Sequence, residues 1–221
     1  AAMSHEFRTP LTAILAYAEL LVTGIPEPIA EVPRGHAERI LTAAQHLTHL
    51  VEQVLTLSRI EAERDEVTLE PTDLVALARD TAALIEPLAR QKGLEFRVEA
   101  PEEGATAVTD ANKVRQVLFN LLGNAVKFTS SGEVRLALTA ADGRATLEVS
   151  DTGRGMTPDE LERIWEPFWQ SDRPGVKRTA GTGLGLGITR RLVRNLGGEI
   201  RVRSEPGRGS VFAVELDAGR P

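Results

Sequence analysis

Apolar positions in the first 60 residues recur with a seven-residue rhythm. Phe7, Leu11, Ile14, Ala18 and Leu21 form one run; Ile40, Ala44, Leu47, Val51 and Val54 form a second, with Ser58 next in register. Alternating spacings of three and four put one buried stripe on a helix. Gly24, Pro26, Pro28, Pro33 and Gly35 separate the runs, so the first helix ends near Thr23 and the second starts near Arg34. Residues 4–64 therefore read as a helical hairpin. Leu15, Leu20, Leu50 and Leu57 lie beside the main stripe. Two helices alone bury too little to be stable, so a homodimer joined as a four-helix bundle is expected. The first helix is expected to continue upstream of Ala1.

From residue 66 the pattern changes to short alternating runs mixed with helical ones. Val67–Leu69 reads as a strand. Asp73 opens a helix to about Gln91, stopped by Gly93. Leu94–Glu99 alternates as a strand, and Asp110 opens a helix through about Phe128. Glu133–Ala140 and Ala145–Asp151 are strands joined by the turn Asp142-Gly143. Pro158–Trp165 and Thr182–Leu196 read as helices, with residues 170–181 irregular between them. Glu199–Ser204 and Ser210–Leu216 form a last hairpin turned at Pro206-Gly207. The order predicts an α+β fold, with helices on one face of a mostly antiparallel sheet. The domains expected are 1–64 and 65–221.

Composition narrows the chemistry. The chain has no cysteine, which excludes disulfides, thiol nucleophiles and thiolate metal sites. His5, His36, His46 and His49 make no metal-binding pattern. A net charge of −6 and 4% aromatic residues speak against nucleic acid as a partner. No apolar run reaches the roughly 18 residues of a membrane span. The fragment is expected to make no membrane contact and to be cytoplasmic, whether or not its parent is anchored.

Four clusters carry candidate chemistry. In Ser4–Leu11, His5 stands beside Glu6, with Thr9 four residues on. A neutral imidazole is a nucleophile near pH 7, and Glu6 can accept its Nδ1 proton. Pro10 removes a helix hydrogen bond here. On the helix from Asp110, spacings of four and three put Asn120, Asn124 and Lys127 on one face, opposite Leu118, Leu121 and Leu122. Two carboxamides and an ammonium suit Mg²⁺ and phosphate. Asparagine is also a weak helix former, so its mid-helix placement asks for a reason. Asp151-Thr152-Gly153-Arg154-Gly155-Met156 offers a carboxylate, two glycines for close backbone approach and a soft wall at Met156. Gly181-Thr182-Gly183-Leu184-Gly185-Leu186-Gly187 leads into a helix, where free N–H groups bind phosphate. It has no Lys-Ser/Thr ending of a P-loop. Before it, Arg173, Lys177 and Arg178 lie on a polar stretch that reads as a mobile lid. Trp165, Phe168 and Trp169 stand at its base. The bland readings are a solvated helix face, ordinary turns, core aromatics and a charged surface loop.

In this order the clusters resemble the sensor histidine kinases of two-component systems. Ser4–Leu11 looks like the phosphoacceptor box, Asn120–Thr129 like the N box and Asp151–Met156 like the first glycine box. Pro167-Phe168 looks like the F box, and Gly181–Gly187 like the second glycine box. The resemblance implies a dimerisation and histidine-phosphotransfer domain followed by an α/β-sandwich, Bergerat-type ATP-binding domain. It implies ATP-dependent autophosphorylation of His5, with Glu6 as base, and transfer to an aspartate of a response regulator. Thr9 is similar to the residue that positions water in dephosphorylation of that partner. Asp151 would bind the adenine amine, Asn120 and Asn124 would hold Mg²⁺ and phosphates, and Lys127 would touch phosphate. Gly153, Gly155, Met156, Phe168, Arg173, Lys177, Arg178, Gly181, Thr182, Gly183, Leu184, Gly185 and Leu186 would complete the ATP site. Thr179, Ala180 and Gly187 depart from the commonest pattern, which has an aromatic, glycine and alanine there. A non-enzymatic scaffold and a gyrase-type ATPase are the rivals; the second needs a glutamate on the helix of Asn120, and none is there.

Overall fold

The computed structural model describes residues 2–24, 33, 35–41, 44, 47, 51, 66–171 and 182–217, and of residues 2–10 the backbone only. The chain divides into two compact units, Ala1–Asp65 and Glu66–Pro221.

In the first unit, α1 spans Ala2–Thr23 and runs through Pro10. A proline in the first ten residues leaves the rest of the helix ladder in place. Residues 35–41 are helical, as are Ala44, Leu47 and Val51. The seven-residue stripe is half used. Leu11, Ala18, Ala37 and Ala44 are buried, whereas Ile14 and Leu21 are each 45% exposed, Ile40 51% and Leu47 48%. One row of the repeat is thus covered within the chain, and the alternate row faces outward.

The second unit contains β1 (Glu70–Asp73), α2 (Leu74–Gln91), β2 (Glu95–Glu99), β3 (Thr106–Thr109) and α3 (Ala111–Phe128). They are followed by β4 (Glu133–Ala141), β5 (Arg144–Asp151), α4 (Pro158–Arg163), α5 (Gly185–Asn195), β6 (Glu199–Glu205) and β7 (Gly209–Asp217). Five strands form a sheet in the order β2-β4-β5-β7-β6. The β2–β4 pair is parallel and the other three pairs are antiparallel. Strand β1 pairs with β3 in a separate two-stranded sheet.

Local chemistry sets the ends of these elements. Asp73 Oδ1 accepts from the N–H groups of Val75 and Ala76, capping α2. Gly93 takes a left-handed φ of 72° just past its end. Asp110 caps α3 through Asn112 and Lys113, and its second oxygen accepts from Thr68 N–H at 3.1 Å. At the other end of α3 the Lys92 ammonium donates to the carbonyls of Val126 and Lys127 at 2.8 and 3.1 Å. A cation there also suits the helix dipole. Asp142 and Gly143 both have positive φ, 52° and 75°, as a two-residue hairpin turn requires.

The sheet is two-faced. Val134, Leu136, Leu138, Leu147, Val149, Val214 and Leu216 are buried toward α2, α3 and α5, where Leu118, Leu121, Leu122, Ile188 and Leu192 meet them. The opposite face carries ion pairs, some across strands, Arg135 with Glu99 and Glu148 and Arg201 with Glu215, and some along one strand, Arg97 with Glu95 and Arg201 with Glu199.

Two expectations change. The strand expected at Val67–Leu69 lies one step later, at Glu70–Asp73, and Leu69 is 60% exposed. Its partner β3 is more than thirty residues away, and Pro71 hides the strand from local patterning. The helix expected from Thr182 begins at Gly185, because Gly183 adopts φ 73° and cannot join it.

Candidate nucleotide-binding site

Helix α3 supplies one wall. Its apolar side is fully packed, and Asn120, Asn124 and Lys127 follow one another along the half-buried side. Asn120 Nδ2 donates to Thr189 Oγ1 on α5 at 3.4 Å. Among the described residues Asn124 and the Asn120 Oδ1 atom have no protein partner, so three carboxamide atoms remain for a ligand or cation. Burial lowers the Lys127 ammonium below its usual 10.5, and the nearby Arg154 guanidinium adds to this. Both cations lie over the Phe128 ring, at 4.8 and 5.2 Å from its centre. Two like charges share one partly buried corner, which favours an anion between or beside them.

The loop after β5 supplies the second wall. Asp151 is raised above its ordinary 3.8, chiefly by burial. The Gly153 N–H, the Ser210 backbone and the Thr129 hydroxyl oppose that shift. The Thr129 hydroxyl has one proton and also faces the Ala125 carbonyl at 2.7 Å, so it serves Asp151 only in part. Glycine is obligatory here for spatial reasons. A Cβ on Gly155 would strike the Glu205 carbonyl, and one on Gly153 would come 2.6 Å from the Phe128 carbonyl. The β6–β7 hairpin holds the loop from behind. Gly207 N–H donates to the Arg154 carbonyl at 2.8 Å, and Met156 N–H to Ser204 Oγ at 2.9 Å.

The third wall is the start of α5. Leu184 N–H is bonded to Thr182 Oγ1 at 3.0 Å, but no side chain caps α5. Its first-turn N–H groups are therefore available to an anion. Phe168 has φ 64°, uncommon outside glycine, and is 65% exposed; its N–H donates to the Gly183 carbonyl at 3.1 Å. A side chain on Gly183 would reach within 2.6 Å of the Trp169 carbonyl. The Gly187 substitution has a local reason as well: a Cβ there would lie 3.2 Å from the Trp165 carbonyl. Trp165 itself packs edge-on against Phe212 at 6.4 Å, a core role. Helix α4 begins with a reciprocal cap between Thr157 and Glu160, and Ser171 Oγ also donates to Glu160.

The structure thus brings Asn120, Asn124, Lys127, Asp151, Gly153, Gly155, Met156, Phe168 and Thr182–Leu186 onto adjoining elements. His5, Glu6 and Thr9 fall on the helical backbone of α1, and their side chains lie outside the described residues, as do Arg173, Lys177, Arg178 and Gly181. Sequence reasoning missed Thr129, Thr189, Ser204 and Ser210, which act only through contacts between distant segments; no local spacing signals them. The described residues fit a Mg²⁺–ATP ligand: an uncapped helix start, glycines at close-approach points, two partly buried cations and unengaged carboxamide oxygens.

A helical phosphoacceptor candidate followed by these three adjoining elements defines a class, and the chain belongs to the sensor histidine kinases. Residues 1–63 match the His Kinase A (phospho-acceptor) domain, and residues 109–220 the Histidine kinase-, DNA gyrase B-, and HSP90-like ATPase family. The sensor histidine kinase AruS of Pseudomonas aeruginosa is 40% identical over 228 residues, covering 98% of this chain and 22% of AruS. The autoinducer 2 sensor kinase/phosphatase LuxQ of Vibrio parahaemolyticus is 35% identical over 98% of this chain and 26% of its own length. The chain thus spans about a quarter of these relatives. The crystal structure of full-length ShkA in complex with AMPPNP superposes with a TM-score of 0.83 at 38% identity, over 100% of this chain and 46% of ShkA.

Proposed function

We propose that this chain transfers the γ-phosphoryl group of ATP to His5 within a homodimer, then passes it to an aspartate of a response regulator. The observation that carries the nucleotide half is the meeting of the Asn120–Asn124–Lys127 face with the Asp151 loop and the uncapped start of α5. Asp151 and the glycines beside it receive the base, and the α5 N–H groups and Lys127 receive phosphates. Asn120 and Asn124 would hold Mg²⁺, which offsets phosphate charge when bound. In the transfer, the His5 Nε2–phosphorus bond forms as the bond from phosphorus to the bridging oxygen of ADP breaks. Glu6 holds the Nδ1 proton and balances the charge that grows on the ring. Arg173, Lys177, Arg178 and Gly181 belong to this reading as further phosphate contacts. ATP as the phosphoryl donor puts the fragment on the cytoplasmic side.

Two observations support dimerisation: the match to the phosphoacceptor family and the outward row Ile14, Leu21, Ile40 and Leu47. Phosphatase activity toward the regulator is a second reading, favoured by Thr9 and by the kinase/phosphatase description of LuxQ.

Incubation with γ-labelled ATP and Mg²⁺ tests the reading, with products kept at neutral or alkaline pH. Label is expected on the wild type and absent from His5→Gln and Asn124→Ala. Label that persists on His5→Gln would move the acceptor elsewhere and overturn the assignment.

A further inference from the structure

The one contact that Asn120 makes among the described residues determines which way its carboxamide points. Thr189 is fully buried on α5. Its hydroxyl has one proton, and that proton is committed to the Gly185 carbonyl at 2.8 Å. Toward Asn120 the same oxygen can only accept, so the partner at 3.4 Å must be the Nδ2 amide. Asn120 Oδ1 is then the carboxamide atom turned away from the Thr189 hydroxyl, and it meets no protein donor among the described residues. The orientation of a ligating group is thereby set by a residue that touches neither cation nor nucleotide, as outer partners commonly do at metal sites.

We infer that Thr189 is a positioning residue for Mg²⁺: it fixes the rotamer that presents Asn120 Oδ1 to the cation. The inference rests on the reading of Asn120 as a Mg²⁺ ligand. It also ties two walls together. The Thr189 hydroxyl joins α3 to the first residue of α5, so the cation-binding oxygen and the uncapped N–H groups are held in one register. Valine at 189 keeps the shape of threonine and removes the acceptor. The Gly185 carbonyl keeps the Thr189 main-chain N–H as its helical partner, so little else changes.

The test is calorimetric binding of AMPPNP to the 221-residue chain, with Mg²⁺ and with a chelator. The quantity read is the ratio of the two affinities, which cancels general damage to the pocket. Wild type, Asn120→Ala, Thr189→Val, Thr189→Ala and Thr189→Ser are compared. The Mg²⁺ gain is expected to vanish in Asn120→Ala and to fall about tenfold in Thr189→Val and Thr189→Ala. It should return in Thr189→Ser, whose hydroxyl restores the acceptor. In spectra of amide-labelled protein, the Asn120 Nδ2 pair should shift in Thr189→Val and recover in Thr189→Ser. A Mg²⁺ gain lost in Asn120→Ala but intact in both hydroxyl-free variants overturns the inference alone. A gain that survives in Asn120→Ala overturns the reading beneath it, and the inference with it.

Discussion

Asp151, the residue proposed to bind the base, is held at a cost to the fold. Burial raises its carboxyl above 3.8, so the folded chain keeps a proton that the unfolded chain releases. Stability therefore falls as pH rises from that value through the higher folded one, and the loss persists above it. Asp151→Asn removes this contribution. Urea unfolding of the nucleotide-free protein between about pH 4 and about pH 7 should show a smaller decline for the variant than for wild type, although the variant should no longer bind ATP. Gly155 makes the complementary case: its space is already filled by the Glu205 carbonyl. Gly155→Ala should shift the loop backbone and abolish nucleotide-analogue binding, seen by calorimetry. The glycines and Asp151 were visible in the sequence as a cluster, though one that also reads as an ordinary turn. Ser204, Ser210 and Thr129 were not, because they reach the loop from segments far along the chain.

Among the elements, α3 was the most legible. Asp110 as cap, the buried leucines and the two mid-helix asparagines announce its start, its buried face and its polar face. The same cap does more than the sequence discloses, since one carboxylate serves the helix and the chain leading into β1. Asp110→Ala should lower unfolding stability by about 1 kcal/mol in denaturant titration. Asp110→Asn should keep the helix cap, because one oxygen still accepts from Asn112 and Lys113. Its new NH₂ group would face Thr68, whose amide should exchange with solvent faster than in wild type. The β1–β3 pair marks the limit of local reading: four residues including a proline carry no period, and their partner is distant. The late start of α5 has a different cause, a left-handed glycine that looked from sequence like part of a helical run.

At the scale of the molecule, both units present surfaces with opposite characters. The first unit leaves alternate heptad positions uncovered, so Leu21→Asp combined with Leu47→Asp should convert the proposed dimer to monomers by light scattering, with the ATP-binding unit still folded. The stripe shows in the sequence pattern, whereas the division of its rows between inside and outside depends on how the helices pack. The five-stranded sheet is open, and its two edges are β2 and β6. Open edges invite a stray strand to extend the sheet and seed precipitation. Here Glu95, Arg97 and Glu99 line one edge, and Glu199, Arg201 and Arg203 the other, several of them already in ion pairs with their neighbours. An incoming strand would have to strip water from those charges. The ATP-binding unit is thereby protected against sticking to its own kind through its sheet edges, whereas the outward apolar row Ile14, Leu21, Ile40 and Leu47 of the first unit carries no such charge guard.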